Sequence, residues 1–361
     1  MEITYIENGS VTSAKGFTAN GICAGVKASN TTKKDLALIY CDKVCNSAAI
    51  FTKNLVKSDT IYVTKKHLEN GTAQAVVVNS GNANACNPDG YEKAEKMCSL
   101  AADALGVDEN DVIVASTGVI GQPLPIEPIA SGIEKLKGTL SKDGGISAAE
   151  AIMTTDTVTK QWAVETVLDG KKVTIGGIAK GSGMIHINMG TTLSFVTTDA
   201  AISSEMLKSA LIEAADVSYN MVSVDGDTST NDTLAIMASG YAGNKEITEK
   251  NDDYKTFTAV LTDAFKKVAK KLAKDGEGAT KLLICKVDGA KDDKSAKIIS
   301  KSIICSSLVK AAMFGADANC GRILCAIGYS GAETDVKRID VSYKSAKGEI
   351  LVCKDGNGLV F

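Results

Sequence analysis

The stretch KGSGMIHINMGTTLSFVTTDA, residues 180–200, joins a glycine-rich segment to an apolar, β-branched one. The run LSFVTT, residues 193–198, has the length and composition of a buried strand. Two threonines stand where that strand would begin, and Gly190 precedes the first of them. One hypothesis is an ordinary loop that leads into a strand. The other is that the chain cleaves itself between Gly190 and Thr191 and uses the new N-terminal threonine as a nucleophile.

The second hypothesis has a chemical basis in the residue types. An N-terminal threonine carries its own general base, since its α-amino group lies beside its hydroxyl. This amine titrates at about 7.7–8.0 when unperturbed, so a small downward shift makes it usable at neutral pH. Glycine at position 190 gives Thr191 Oγ unhindered access to the preceding carbonyl for an N→O acyl shift. Spacing alone leaves both hypotheses open, because Gly-Thr-Thr is common at strand starts.

Composition argues against several classes of protein. The chain has 361 residues, 44% of them apolar, and a net charge of −3, so it lacks the basic surface typical of nucleic-acid binding. No apolar run approaches the ~18 residues of a membrane helix, and the N-terminus does not resemble a secretory signal. We therefore expect a cytoplasmic protein with no nucleic-acid or membrane partner.

Common cofactor and metal motifs are absent from the sequence. There is no P-loop, and the ten cysteines include no C-x-x-C pair, so we expect buried, reduced thiols and no zinc site. The segment GSGMIH does not complete a dinucleotide fingerprint, since His186 occupies its third glycine position. DGDTSTND, residues 225–232, fails as a calcium loop because Thr230 stands where glycine is needed. We expect its polar groups to cap a turn or helix, and predict no cofactor and no metal.

The two histidines offer little for conventional acid–base catalysis. His67, in TKKHLENG, is expected at a solvated helix end. His186 is either a structural residue or one at the rim of the substrate site or, as the less favoured alternative, a general base for Thr191.

Hydrophobic periodicity predicts a mixed α/β protein with helices on layered sheets. Short apolar runs predict strands at 75–80, 111–116, 193–198, 281–287 and 322–328. Helical spacing predicts amphipathic helices over 90–107, 203–220 and 252–278. The segment 162–177 predicts a hairpin that turns at Asp169 and Gly170.

Six sequence blocks, in order, identify a family resemblance. Residues 180–193 resemble the K-G-[AS]-G-M-I-x-P-N-M-A-T-M-L segment of ornithine acetyltransferases, also described as bifunctional glutamate N-acetyltransferases and amino-acid acetyltransferases. The other matching blocks are NSGNANAC (79–86), ASTGVIG (115–121), IMTTDT (152–157), VDGDTSTNDT (224–233) and LVKAAMFGADANCGRI (308–323). The resemblance covers nearly the whole chain. The sequence departs from the pattern at Ile187, Gly190 and Thr192, where proline, alanine and methionine are usual.

This resemblance implies a layered α/β/β/α sandwich, as in the superfamily of self-cleaving aminopeptidases. It also implies cleavage between Gly190 and Thr191, which divides the chain into an alpha chain, 1–190, and a beta chain, 191–361. The two fragments are expected to stay together and to assemble as a heterotetramer with two of each.

The family's site residues carry over position by position. Thr191 matches the nucleophile, and Thr117 with Gly118 matches the pair that stabilises the oxyanion. Lys180 suits a carboxylate and Glu277 suits an amino group. The substrate-binding positions implied by the resemblance are Thr154, Lys180, Thr191 and Glu277.

The implied activity is transfer of the acetyl group from N2-acetylornithine to glutamate through an acetyl-threonine intermediate, in cyclic arginine biosynthesis. Acetyl-CoA as a further donor is left open. One alternative is an amidohydrolase or aminopeptidase of the same superfamily. Another is a catalytically silent relative, because the family pattern continues past Phe361 into a tail that closes the substrate site.

Overall fold

The computed structural model describes residues 3–186 and 192–360. The helices are α1 (Asp59–His67), α2 (Gly90–Leu105), α3 (Ile126–Lys137), α4 (Gly145–Ala151), α5 (Ser204–Asp216), α6 (Asp252–Lys274), α7 (Asp293–Cys305), α8 (Ser307–Phe314) and α9 (Cys320–Gly328). The strands are β1 (Thr4–Tyr5), β2 (Phe17–Ile22), β3 (Leu36–Phe51), β4 (Thr72–Asn79), β5 (Val112–Ser116), β6 (Lys160–Leu168), β7 (Lys171–Lys180), β8 (Ile185–His186), β9 (Leu193–Thr198), β10 (Ser223–Thr228), β11 (Thr233–Ala238), β12 (Val341–Ser345), β13 (Gly348–Lys354) and β14 (Asn357–Gly358). No helix in these ranges is long and apolar enough to cross a membrane.

Strand β3 belongs to both halves of a nine-stranded sheet. The strand order is β1-β6-β7-β9-β11-β3-β4-β5, and β2 also pairs with β3. Residues 36–41 of β3 pair with β2, whereas residues 46–51 pair with β11. The register with β4 shifts between Tyr40 and Cys45, and a bulge of this kind bends a strand and increases its twist. The bend lets the sheet fold back on itself.

The two halves of the sheet face each other across an apolar core. Val76 of β4 lies in the same cluster of buried residues as Ile178 of β7 and Phe195 of β9. Three strands separate β4 from β7 in the sheet order, so these side chains meet only because the sheet is folded over. Ala148 and Ala149 of α4 close the same core.

Helices cover both outer faces of the folded sheet. Helices α2 and α3 pack on β4 and β5, and α5 and α6 pack on β6, β7, β9 and β11. Within the second of these layers, Phe265 of α6 contacts Tyr219, with ring centroids 4.9 Å apart. The predicted α/β/β/α sandwich is therefore confirmed: each sheet half buries one face on the other half and one face on helices.

The predicted helices and hairpin follow from local chemistry. Ser203 accepts the N–H of Met206 at the start of α5, and Asn251 accepts the N–H of Tyr254 at the start of α6, as N-caps do. The β6–β7 hairpin turns at Asp169 and Gly170, both with positive φ. This is the geometry of a two-residue type I′ turn.

Two of the predicted strands are wrong. Residues 322–328 lie in helix α9, which Asn319 caps by accepting the N–H of Arg322. Ile323, Ala326 and Ile327, at helical spacing, face a small apolar cluster. The prediction failed because a short, continuous apolar run does not separate a strand from a buried helix.

The segment 281–287 is not a strand in the structure. Its alternate residues Leu283, Cys285 and Val287 pack inward on the apolar cluster, while Ile284 is exposed. The alternation that a strand requires is therefore present. No neighbouring strand among the described residues supplies the hydrogen bonds that would complete a ladder.

Candidate active site

Strands β7 and β9 bring the two ends of the motif segment together. They are antiparallel neighbours, and Lys180 pairs with Leu193. The connection 181–192 therefore begins and ends at one edge of the sheet. Gly190 and Thr191 lie outside the described residues, so the cleavage site and the nucleophile remain predictions.

Lys180 is a buried lysine at this edge, not the solvated residue it would be if taken alone. The residue is 7% exposed, and its Nζ donates to Thr117 Oγ1 at 3.5 Å. Burial lowers the pKa of Lys180, while the carboxylates of Asp156 and Asp232 oppose that shift. The structure thus joins two residues that the sequence placed in different roles, substrate binding and oxyanion stabilisation.

The loop after β5 presents Thr117 and Gly118 beside the NSGNANAC segment. Thr117 N–H donates to Asn79 O at 2.9 Å. Gly118 has φ +132°, and a Cβ there would lie 2.8 Å from the backbone nitrogen of Asn82. A side chain at position 118 would therefore push the loop away from its neighbour. Gly118 is exposed, so its backbone is accessible to a substrate.

Asparagine side chains hold this loop in place, a function that the sequence did not reveal. Asn231 Nδ2 donates to Ala83 O at 2.6 Å and to Ser116 O at 2.7 Å. Asn79 Nδ2 donates to Ser116 Oγ at 2.7 Å. Three of the matching blocks therefore meet here through buried amide groups.

Asp156 connects Thr154 to the motif segment. Its carboxylate accepts the N–H of Gly181 at 2.7 Å and that of Thr154 at 3.1 Å. It also accepts from Lys160 Nζ at 2.6 Å. Burial raises the pKa of Asp156, but Lys180, Lys160 and the Gly181 N–H outweigh burial and hold it below its usual value. Asp156 is therefore the anionic centre of this side of the site.

Lys160 also pairs with a second buried carboxylate. Its Nζ lies 2.5 Å from Asp275 Oδ2, and its side chain has no solvent exposure. Asp275 in turn accepts the N–H and hydroxyl of Thr157. Nothing in the sequence indicated that Lys160, Asp156 and Asp275 form a group. The spacing of Asp156 and Lys160 gave no reason to expect a partner 115 residues away.

Glu277 lies against the opposite side of the motif segment. Its N–H donates to Ser182 O at 3.1 Å. A Cβ at Gly183 would be 2.5 Å from Glu277 Oε1, so glycine at 183 permits this close approach. Glu277 is exposed, and its carboxylate is accessible to a cationic group.

Asp232 is a further buried residue whose role the sequence did not indicate. It is 3% exposed, and burial raises its pKa well above the usual value, with Lys180 partly offsetting the shift. Elsewhere in 225–232, Asp225 Oδ1 accepts the N–H of Asp227 at 3.0 Å, which confirms the predicted turn cap for that residue. In the described ranges no three His, Cys, Asp or Glu side chains form a group suited to a metal ion.

Of the two histidines, His67 contradicts its prediction. His67 ends α1 but is 5% exposed, and its Nδ1 lies 2.9 Å from Val112 O, so the prediction of a solvated end is wrong. That carbonyl faces the imidazole because β5 packs against α1. His186 contacts Ser223 Oγ at 3.1 Å and Cys305 Sγ at 3.5 Å, and its role as a general base for Thr191 stays a prediction because Thr191 lies outside the described residues.

Three of the residues implied by the resemblance are connected to one segment, 180–183, which begins with a fourth, Lys180. Thr117 reaches it through Lys180, Thr154 through Asp156, and Glu277 through Ser182 and Gly183. A buried ammonium, an accessible carboxylate and a glycine-bearing loop suit a small substrate with charged groups of both signs. Fold and site together define a layered α/β/β/α enzyme that acts on such a molecule.

The chain belongs to the ArgJ family, whose family model matches residues 18–361. It is 49% identical to the arginine biosynthesis bifunctional protein ArgJ of Caldanaerobacter subterraneus subsp. tengcongensis, over 99% of this chain and 88% of that protein. It is also 49% identical to ArgJ 1 of Clostridium acetobutylicum, with the same two coverages. A solved ornithine acetyltransferase from Mycobacterium tuberculosis, complexed with ornithine, is 35% identical over 52% of this chain and 99% of that one, with a TM-score of 0.48.

Proposed function

We propose that this chain is a glutamate N-acetyltransferase of arginine biosynthesis that takes its acetyl group from N2-acetylornithine. The observation that carries the proposal is the contact between buried Lys180 and Thr117, in a chain of the ArgJ family. That contact joins a cationic substrate-binding group to the loop proposed to stabilise the oxyanion.

The reaction proceeds in two acyl transfers at Thr191. Thr191 Oγ attacks the acetyl carbonyl carbon while the α-amine of Thr191 takes the hydroxyl proton. The C–N bond then breaks, the same proton passes to the leaving nitrogen, and ornithine departs from an acetyl-threonine ester. The amino group of glutamate attacks this ester, its proton returns to threonine, and N-acetylglutamate leaves.

Thr117 and Gly118 stabilise the negative oxygen that forms in each step. A hydroxyl and a backbone N–H in a fixed loop can donate to a developing oxyanion without rearranging. The asparagine contacts around Ser116 and Asn79 support this role, since they fix the loop.

Lys180 and Glu277 hold the amino-acid part of the substrate. The Lys180 ammonium pairs with the substrate carboxylate, and the exposed Glu277 carboxylate pairs with an amino group. Thr154, fixed by Asp156, adds a hydroxyl to the same site.

The active form contains two fragments of one chain. Cleavage between Gly190 and Thr191 produces the alpha chain, 1–190, and the beta chain, 191–361, and two of each assemble in the cytoplasm. Residues of both fragments are needed, because Thr117, Thr154 and Lys180 precede the cut and Glu277 follows it.

Acetyl transfer with labelled substrate tests the proposal. N2-[13C]acetylornithine and glutamate are incubated with the purified chain, and N-acetylglutamate, ornithine and acetate are measured. We expect labelled N-acetylglutamate and ornithine in equal amounts, and none with Thr191→Ala. Labelled acetate as the sole acyl product would instead indicate an amidohydrolase. The absence of any turnover would indicate a catalytically silent relative. A parallel reaction with acetyl-CoA determines whether it is a donor.

A further inference from the structure

Helix α7 ends in a cysteine that contacts an imidazole. Cys305 Sγ lies 3.5 Å from His186 Nδ1, and the hydroxyl of Ser223 lies 3.1 Å from the same nitrogen. Burial and the nearby Lys301 and Lys310 lower the pKa of His186, against the opposing effect of Asp225 and Asp227. The imidazole is therefore neutral at neutral pH and able to accept a proton from the thiol.

Two lysines lie beside this pair. Lys301 is one helical turn before Cys305, and burial lowers its pKa to about 8, with Cys305 opposing the shift. Lys310 donates to the backbone oxygen of Ser223 at 3.3 Å, and burial also lowers its pKa, against the effects of Cys305 and Asp225. A negative sulfur would therefore have cationic neighbours on two sides.

A cavity is lined by Ser223 and Lys310, the neighbours of the Cys305–His186 pair. Its volume is about 570 Å³, and Ser223, Ile304 and Lys310 are among the residues that line it. Cys305 itself is partly exposed. Cys305 is not among the described residues that line this cavity, but its own partial exposure allows a small disulfide to reach the sulfur without unfolding of α7.

We propose that Cys305 is a reactive thiol that exchanges with small disulfides of the glutathione type. His186 Nδ1 takes the thiol proton, and Cys305 Sγ attacks one sulfur of the disulfide RSSR. A bond forms between Cys305 Sγ and that sulfur, the original S–S bond breaks, and RS⁻ leaves with the electron pair. The leaving thiolate then takes the proton from His186, so the products are a mixed disulfide on Cys305 and one free thiol.

Other cysteines lack this combination of groups. Cys285 lines the same cavity, but burial raises its pKa to about 11. Cys325 is exposed, so its reaction rate serves as the control for the effect of exposure alone. The second histidine of the sequence, His67, contacts Val112 O and is buried. We therefore expect the modification to be selective for Cys305.

Oxidised glutathione is the probe that tests this site. The purified full chain is treated for increasing times, quenched and digested, and the extent of the mixed disulfide is measured by mass spectrometry at Cys305, Cys285 and Cys325. We expect Cys305 to react at least about tenfold faster than either control. A rate at Cys305 no greater than that at Cys325 would overturn the proposal.

Variants separate activation by the imidazole from simple exposure. His186→Gln removes the proton acceptor. It is expected to slow mixed-disulfide formation at Cys305 by about tenfold or more, while the rate at Cys325 stays constant. An unchanged rate at Cys305 would contradict the role of His186. Should His186→Gln fail to fold, Ser223→Ala tests the same pair: it removes the competing hydroxyl, so the rate at Cys305 should be maintained or increased. A tenfold loss in that variant would also overturn the proposal.

Discussion

Asp156 Oδ1 lies 2.6 Å from Lys160 Nζ, and neither side chain is exposed to solvent. The same carboxylate oxygen accepts the N–H of Gly181 at 2.7 Å. The buried ion pair is therefore connected directly to Gly181, the residue that follows Lys180 in the motif segment. Any change that loosens it should affect both the stability of the fold and the position of Lys180.

Replacing Lys160 with methionine should destabilise the protein strongly. The substitution leaves Asp156 and Asp275 as buried carboxylates without their shared ammonium, and breaking such a group costs about 3–5 kcal/mol. Urea denaturation followed by circular dichroism measures the free energy of unfolding. Lys250→Met is the matched control, since the exposed Lys250–Glu213 pair should contribute less than about 1 kcal/mol. Equal losses of unfolding free energy in the two variants would show that burial does not increase the contribution of Lys160 to stability.

Asp232→Asn should change the pH dependence of stability. Because burial raises the folded-state pKa of Asp232, the stability that its protonated form contributes is complete below the unfolded pKa of about 3.9 and is lost as pH rises through the folded pKa. The asparagine side chain does not ionise, so the variant does not lose stability in this way as pH rises. Its free energy of unfolding should therefore increase relative to wild type between pH 4 and pH 7.

Asp252→Asn provides the control of opposite sign. A hydrogen bond from Lys255 lowers the pKa of Asp252, so the contribution of this carboxylate is present at neutral pH and is lost in acid. Urea titrations across the pH range compare the two variants. A difference between Asp232→Asn and wild type that is constant with pH would contradict the assignment.

Lys180→Met should impair acetyl transfer more than folding. Losing a hydrogen bond to a charged substrate group costs about 1.5–3 kcal/mol, equivalent to roughly tenfold to a hundredfold in kcat/KM. Steady-state kinetics with N2-acetylornithine measures this loss. Lys172→Met, which removes an exposed partner of Glu165, should leave kcat/KM within twofold or so. Unchanged kinetics in Lys180→Met would exclude it from substrate binding.

Gly118→Ala should damage the proposed oxyanion loop. Its Cβ would approach Asn82 N to 2.8 Å at a φ of +132°, so the loop must move. Displacing one oxyanion donor lowers kcat by about 10²–10³. Gly121→Ala is the control, because φ is +73° there but a Cβ has open space. It should cost only about 1 kcal/mol of stability. Similar kcat values in the two variants would argue against the assignment of Gly118.

Thr191→Ala should remain uncleaved and inactive, whereas Thr191→Ser should cleave slowly and keep some transfer. Both steps need the side-chain alcohol, and serine retains it without the γ-methyl group. Denaturing gels and fragment masses follow the cut, with Thr-Thr-Leu-Ser expected at the start of the smaller fragment. Thr192→Val keeps the methyl group that lies near Gly181 and should cleave normally. Normal cleavage in Thr191→Ala would implicate another residue.

Local sequence determined most of the regular structure. The alternating and continuous apolar runs of β4, β5 and β9 and the stripes of α2, α5 and α6 identified these elements, because each pattern matches one backbone period. The Asp169-Gly170 pair located a hairpin, since both residues accept positive φ. The order of six blocks identified the family that residues 18–361 match.

Tertiary structure decided which of these residues are buried and with whom they pair. Lys180 resembled a surface lysine in sequence, and Asp156, Lys160 and Asp275 showed no relationship. They form a buried network because the folded sheet brings the end of β7, the start of β6 and the end of α6 to the same edge. In the same way, α9 became a helix because its apolar stripe met a cluster made by distant residues. Periodicity and composition are local properties of the chain. The free energy of a buried charge or a short apolar run depends on partners that only the fold supplies.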